Sequence, residues 1–225
     1  MESKYVQWSA ENATKAFLKT LKIENKGPIK ELDTSEFISA IAAGNNAQLI
    51  VVACGDTVTP STLLALLAAT SQTRGRVICI FQDIDRLISI KQALSQDDVN
   101  SIEFVVGDVE RLMSRDYKEA DFVLNDCKLE NHEALLRAIQ YGGNNRKETI
   151  ILGCNAFSTK SWQWAGLKTQ LLPIGDGLLV TRIKGPNEKT SSLGRKSNWI
   201  VKVNKHTGEE HVFRVRCPNS KVIEG

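Results

Sequence analysis

Long apolar runs are the first thing missing from this sequence. Nothing approaches the roughly 20 apolar residues needed to cross a bilayer, and stretches such as Leu63–Ala69 stop after one or two helical turns. No continuous apolar stretch precedes position 47, so neither a secretory leader nor a membrane partner is expected. Histidine is scarce, at three residues, and HExxH does not occur, which removes the usual zinc hydrolase pattern. The five cysteines, Cys54, Cys79, Cys127, Cys154 and Cys217, are widely spaced and form no CxxC pair. That argues against a zinc ribbon or a thioredoxin-like dithiol. It fits reduced thiols in a cytoplasmic or nuclear protein that is not secreted. A GxxxxGKS/T loop is absent too, so a P-loop nucleotidase has no support. Nucleic acid is not an expected partner, since RNP-like aromatics and a GxxG loop in a helical setting are lacking. With 15 Gly, 5 Pro and 42% hydrophobic residues in 225, collagen-like and disordered classes are excluded.

What is present is an alternation of short β-branched runs with helical patterns. The strand candidates are Gln48–Ala53, Arg76–Phe81, Ser101–Val106, Ala120–Leu124, Thr149–Gly153 and Gly177–Ile183. The first five are continuously apolar rather than alternating, as in strands covered by helices on both faces. Thr59-Pro60 starts a helix with a side-chain cap and proline at the first helical position. Asp85–Leu94, Val109–Arg115 after Asp108, and Glu133–Tyr141 after Asn131 follow. Ala10–Thr20 and Thr34–Ala43 precede the first strand. Such a βαβ series predicts a mostly parallel sheet with right-handed crossovers.

Trp199–Val203 and His211–Arg216 alternate around Asn204–Gly208, a hairpin expected to close the sheet with antiparallel strands. The expectation is one α/β domain over 1–225. Helices occupy 1–46, an α/β core 47–183, a basic mobile loop 184–198 and the closing hairpin 199–217. Charge is uneven: residues 1–181 hold 19 Lys/Arg and 22 Asp/Glu, residues 182–225 hold 10 and 4. The basic end is either a solvated hairpin or a face for phosphate or an acidic protein, through Arg195, Lys196, Lys202 and Lys205.

In an open α/β sheet, ligands bind beyond the carboxyl ends of the strands, near the switch in strand order. Those ends carry Cys54-Gly55-Asp56, Gln82-Asp83, Gly107-Asp108, Asn125-Asp126-Cys127 and Cys154-Asn155. Each Asp is either a helix cap or a ligand group. Asp83 is placed to accept both hydroxyls of a ribose, and Asp108 an adenine amino group. The first loop, CGDTVT, keeps only Gly55 of the glycines a pyrophosphate needs, and Asp56 would repel that anion but welcome an ammonium. Cys54, Cys127 and Cys154 are either small buried residues or a reactive or soft-metal cluster. Lys128 and His132 are candidate bases. Trp162 and Trp164 either stack on a planar ligand or pack the last helix.

The stretches WSAENATKAFLKTL, EFISAIAAGNNAQLIVVACG and LLALLAATSQTRGRVICIFQD resemble class I S-adenosylmethionine-dependent methyltransferases. More closely, they resemble a plant family called domain of unknown function 1442, over roughly residues 7–217. The resemblance implies a Rossmann-like, seven-stranded sheet and S-adenosyl-L-methionine as cofactor, held by Gly55, Asp56, Asp83 and Asp108. FVLNDCK and LPIGDGL are similar to segments of the cation-dependent O-methyltransferases. Asp126 would take the place of their metal-binding aspartate. Their following Asp-Asn pair is matched here by Cys154-Asn155, and because a thiol is a poor Mg²⁺ ligand, no metal is expected. The resemblance implies methyl transfer to a small, phenolic acceptor, with Asp126, Lys128 and Asn155 facing it and Trp162 and Trp164 stacking on it. The other reading is a non-catalytic methyltransferase fold that binds proteins. A homodimer or an acidic protein partner fits either.

Overall fold

The computed structural model describes residues 8–24, 34–129, 132–142, 148–158, 167 and 169–183, with the strand backbones of 197–203 and 210–216. The chain divides into two compact units, Met1–Asn187 and Glu188–Gly225.

In the first unit, strands β1 (Leu49–Val52), β2 (Arg76–Phe81), β3 (Ile102–Val106), β4 (Phe122–Asp126), β5 (Thr149–Cys154), β6 (Thr169–Leu172) and β7 (Leu178–Ile183) form one sheet. Its order is β3-β2-β1-β4-β5-β7-β6. Pairs among β1 to β5 are parallel, and β7 runs antiparallel to both β5 and β6. Period-two alternation explains why these strands read as unbroken apolar runs, since successive side chains enter different cores. Ile50, Val52 and Leu124 lie in one core, while Val51, Ala53 and Val123 lie in the other.

Helices cover both faces. On the first, α1 (Ala10–Glu24), α2 (Thr34–Gly44), α3 (Pro60–Thr73) and α4 (Ile84–Ala93) contribute Ala16, Ile38, Leu63, Leu66 and Ile90. On the second, α6 (Val109–Arg115) and α7 (His132–Gly142) contribute Met113, Leu135, Leu136 and Ile139, with the short α5 (Gln96–Asn100) between α4 and β3. Each fully buried Leu or Ile is worth about 1.5–3 kcal/mol of transfer free energy. Caps set the helix starts. The Thr59 hydroxyl accepts from the Thr62 N–H ahead of Pro60, and Ser95 caps α5. At the amino ends of the strands, the Asp121 carboxylate accepts from the N–H groups of Gln48 and Leu49, fixing β1 against β4. Among the described residues no helix is long and apolar enough to cross a membrane.

Two expectations need correction. The hairpin forms, as β8 (Ser197–Val203) and β9 (Glu210–Arg216), but these strands pair with each other in a separate two-stranded sheet. The seventh strand of the main sheet is Thr169–Leu172, which the sequence reading passed over, and its pairing with β7 fills the edge assigned to the hairpin. The expected Asn131 cap lies outside the described residues, as do residues 184–196 of the expected 184–198 loop, whose last two residues open β8. Trp162 and Trp164 lie outside them too.

Candidate functional site

The chain runs outward through β1, β2 and β3, then returns to place β4 on the other side of β1. The switch point therefore falls between β1 and β4, and the carboxyl ends of these strands form the crevice where ligands bind in such sheets. The loop from β1 to α3 forms one wall and is held at every turn. Ala53 donates to Leu124 O, Gly55 to Ile80 O, and both Thr57 and Val58 to Cys54 O. Arg86 of α4 reaches back with Nε to Asp56 O at 3.0 Å and with a terminal nitrogen to Val58 O at 2.9 Å. Asp56 answers in the other direction. Its Oδ2 accepts from Gln82 N at 3.1 Å and its Oδ1 from Asp83 N at 3.0 Å. The carboxylate that looked free to meet an ammonium is thus a strap between two strand ends.

Asp83 and Asp108 are both helix caps. Asp83 Oδ1 accepts from Asp85 N at 2.9 Å at the start of α4, and Asp108 Oδ1 accepts from Arg111 N at 2.7 Å at the start of α6. Each cap contributes roughly 1 kcal/mol, yet occupies one oxygen of two. Asp83 is exposed and its second oxygen makes no hydrogen bond with the described residues. Capping and ligand binding are therefore compatible in one side chain.

Two cavities open on either side of Cys54. The smaller, of about 50 Å³, is lined by Ala53, Cys54, Asp56, Gln82, Val109, Glu110, Asn125, Leu129 and Leu135. Asn125 is 1% exposed, and its side-chain nitrogen has no hydrogen-bond partner. A buried amide N–H without an acceptor costs on the order of 1–3 kcal/mol, so its presence asks for a ligand. The larger cavity, of about 200 Å³, is walled by Thr34 and Ser35 of α2 and by the hydroxyls of Thr57, Thr59 and Thr62. Leu124, Cys154, Asn155 and Asp176 complete it. A third cavity of about 80 Å³ lies at the opposite, amino ends of the strands. Its polar groups satisfy one another, with Arg182 bonded to Glu148 and Asn45 at 3.1 Å each.

At the ends of β4 and β5, Asp126 is buried and its Oδ1 accepts from Lys128 N and from the Asn155 side-chain amide, both at 2.9 Å. Asn155 has a left-handed backbone, φ 56°, a conformation Asn tolerates better than most residues. Asp126 thus orients Asn155, which faces the larger cavity. Lys128 is exposed and lines neither this cavity nor the smaller one. A hard divalent cation of the kind the O-methyltransferase resemblance brings in does not fit this donor set. Cys154 supplies a thiol that donates to Asn125 O at 3.1 Å, and Asn155 turns its N–H toward the lone carboxylate. Among the described residues no three His, Cys, Asp or Glu side chains are grouped to hold a metal.

The thiols of Cys54 and Cys127 are held neutral. Cys54 is raised well above the ordinary thiol range, first by its hydrogen bond with Cys154 and then by burial. Burial pushes Cys127 up to about 12 from 9.0, with the neighbouring Cys154 and Asp126 adding to it. A pKa raised in the folded state favours folding below the unfolded value and loses that contribution as pH rises through the folded one. Stability should therefore hold up to pH 9 and fall between 9 and about 12 as the unfolded chain sheds the Cys127 proton first. A disulfide reagent at pH 8 should modify Cys54 and Cys127 only after denaturation. Rapid modification of either in the native protein would show a reactive thiolate instead.

A family model matches residues 4–215. The chain belongs to that family, described as Protein of unknown function (DUF1442). No curated protein matches the chain. Solved methyltransferases share the fold of this DUF1442 chain. One from Geobacter sulfurreducens aligns with TM-score 0.53 at 20% identity, covering 78% of this chain and 91% of its own. The SAH-bound methyltransferase PaMTH1 of Podospora anserina aligns with TM-score 0.55 at 16% identity, covering 80% and 91%. The O-methyltransferase TomG of Streptomyces achromogenes, solved with SAM, aligns with TM-score 0.51 at 11% identity, covering 79% and 91%. At these identities the likeness establishes a class I methyltransferase-like, Rossmann-like fold.

Sequence reasoning left two groups without a role. It places Asn125 at the end of the fourth strand, and only the unpartnered nitrogen marks that residue out from its neighbours there. Asp176 belongs to the LPIGDGL segment noticed for its family likeness, and nothing local says that its carboxylate reaches the same cavity as Asn155.

Proposed function

We propose that this protein binds S-adenosylmethionine across the carboxyl ends of β1, β2 and β4 and transfers its methyl group to a small, hydroxylated, planar acceptor. The observation that carries this reading is the unpartnered Asn125 amide facing a cavity at the switch point. Solved relatives of the fold were captured with SAH or SAM, PaMTH1 and TomG among them.

A cavity of about 50 Å³ takes the edge of a heterocycle rather than a whole nucleoside. Asn125 would donate to a ring nitrogen there, beside Val109, Leu129 and Leu135. The remainder of the ring would cover Ile84, exposed at the start of α4, and Val106, exposed at the end of β3. The free oxygen of Asp83 would accept from the ribose. When bound, the cofactor supplies an electrophilic sulfonium methyl. Cys54, which borders both cavities, marks the passage between the base and the acceptor. The hydroxyls of Thr57, Thr59 and Thr62, together with Asn155 held by Asp126, would orient the acceptor for in-line transfer, and alignment is the main catalytic contribution such a site makes.

Asp83 provides the test. Asp83→Asn keeps a good N-cap but removes the charge, so affinity for S-adenosylhomocysteine should fall at least tenfold while Tm stays within about 2 °C. Unchanged affinity, or a large drop in Tm, would make Asp83 a structural cap alone. The second reading, a fold kept for protein binding, is favoured by Asp56, whose two oxygens are committed to backbone amides. It predicts no heat with either S-adenosylmethionine or S-adenosylhomocysteine.

A further inference from the structure

We propose that the methyl acceptor carries an organic ammonium group, held by the Asp176 carboxylate beside the face of Phe157. This rests on the methyltransferase reading above and narrows its substrate class.

The larger cavity has one charged side chain among its described lining residues, Asp176, and no Lys, Arg or His. Behind Asn155 stands a second carboxylate, Asp126, whose Oδ1 accepts the Asn155 amide at 2.9 Å. The remaining polar lining consists of neutral hydroxyls, thiols and an amide. Among the described lining residues, a carboxylate or phosphate on the ligand would meet negative charge with no cation to offset it, whereas an ammonium would be drawn in.

Asp176 is itself held in position. It sits between Gly175 at φ 53° and Gly177 at φ 88°, in a turn closed by the Gly177 N–H donating to Ile174 O at 2.9 Å. A Cβ at Gly175 would lie 2.5 Å from Thr34 Cγ2, so the turn presses on the first residue of α2. The Asp176 backbone carbonyl accepts from Phe157 N at 2.9 Å. Its carboxylate makes no hydrogen bond or ion pair with the described residues, unlike those of Asp56, Asp83, Asp108 and Asp126. Phe157 lies against Gly177, 3.1 Å from where a Cβ would be, and is 50% exposed. An exposed aromatic ring next to an unpartnered carboxylate is the combination that recognises protonated amines, the ring through its negative face and the carboxylate through charge-assisted hydrogen bonds.

The opposing consideration is that α2 and α3 both begin at this cavity, and helix N-termini favour anions. At α3 that pull is blunted, because the Thr59 hydroxyl already accepts from Thr62 N and Pro60 has no N–H to give.

The test uses two phenols of matched shape and opposite charge, tyramine and 3-(4-hydroxyphenyl)propanoate, titrated calorimetrically into the full chain with and without saturating S-adenosylhomocysteine. Tyramine should bind at least tenfold tighter than the propanoate. Asp176→Asn should abolish that preference, and Phe157→Leu should weaken tyramine several-fold while leaving the propanoate unchanged. Both variants sit on exposed positions, and their Tm values check folding. Equal or tighter binding of the propanoate, or tyramine binding indifferent to Asp176→Asn, would overturn the proposal. So would a fall in S-adenosylhomocysteine affinity in Asp176→Asn, which would assign the carboxylate to the ammonium of the cofactor. If the chain binds no S-adenosylhomocysteine, the methyltransferase reading fails by itself, and the amine arm without cofactor still decides whether Asp176 and Phe157 form an ammonium site.

Discussion

Replacing Asn125 by Leu should leave the protein as stable as before, or more stable, while lowering its affinity for S-adenosylhomocysteine at least tenfold. The two effects have one cause. In the ligand-free protein the Asn125 nitrogen is buried without an acceptor, and removing an unsatisfied donor is neutral or stabilising by on the order of 1 kcal/mol. In the complex the same nitrogen makes a hydrogen bond that Leu cannot supply, and a loss of about 1.4 kcal/mol is a factor of ten in affinity. A purely structural Asn gives the opposite pattern, with stability falling and binding following it down. Urea denaturation of the apo protein alongside calorimetric titration separates the two.

The largest stability effect is expected at Gly55. Its N–H donates to Ile80 O at 3.0 Å, and a Cβ there would sit 2.1 Å from that oxygen and 2.8 Å from the Ile80 carbonyl carbon. Backbone cannot swing aside as a side-chain tip can, so Gly55→Ala must push the loop away from β2. With it go the Asp56 strap to Gln82 and Asp83 and the Arg86 bonds to the loop. A cost of at least about 3 kcal/mol is expected, which lowers Tm by roughly 6–12 °C in a chain of this size. Cofactor binding should disappear as well, since both cavities lose the wall they share at Cys54. Gly107→Ala is the control. The nearest atom to its Cβ is Leu112 Cδ1 at 3.1 Å, a flexible tip, and it should change Tm by no more than a few degrees. Equal losses at the two positions would mean that the close approach at Gly55 is not what holds the loop.

Much of this architecture was legible because its determinants are local. Thr59-Pro60 starts α3 through contacts within one turn. Asp83 and Asp108 announced themselves as cap or ligand, and the structure shows the cap with one oxygen left over in each. The continuous apolar runs at β1 and β4 correctly implied cover on both faces. What escaped was non-local. Thr169–Leu172 is short, and Gln170 and Leu171 are exposed, so only pairing with β7 makes it a strand. The hairpin was visible from its alternation, but no residue within it says which sheet it joins. Asp56 looked like a ligand group because the two amides it binds lie beyond the next strand. Lys128 follows a strand end as a candidate base should, yet its side chain is exposed and its backbone N–H serves Asp126.

The measurement that bears most directly on the account is calorimetric titration of the full chain with S-adenosylhomocysteine, repeated with S-adenosylmethionine. The site described here predicts one-to-one binding in the micromolar range for both, with a matching upward shift in Tm from linkage to the folded state. No heat and no thermal shift with either compound would contradict it and leave the fold without its cofactor.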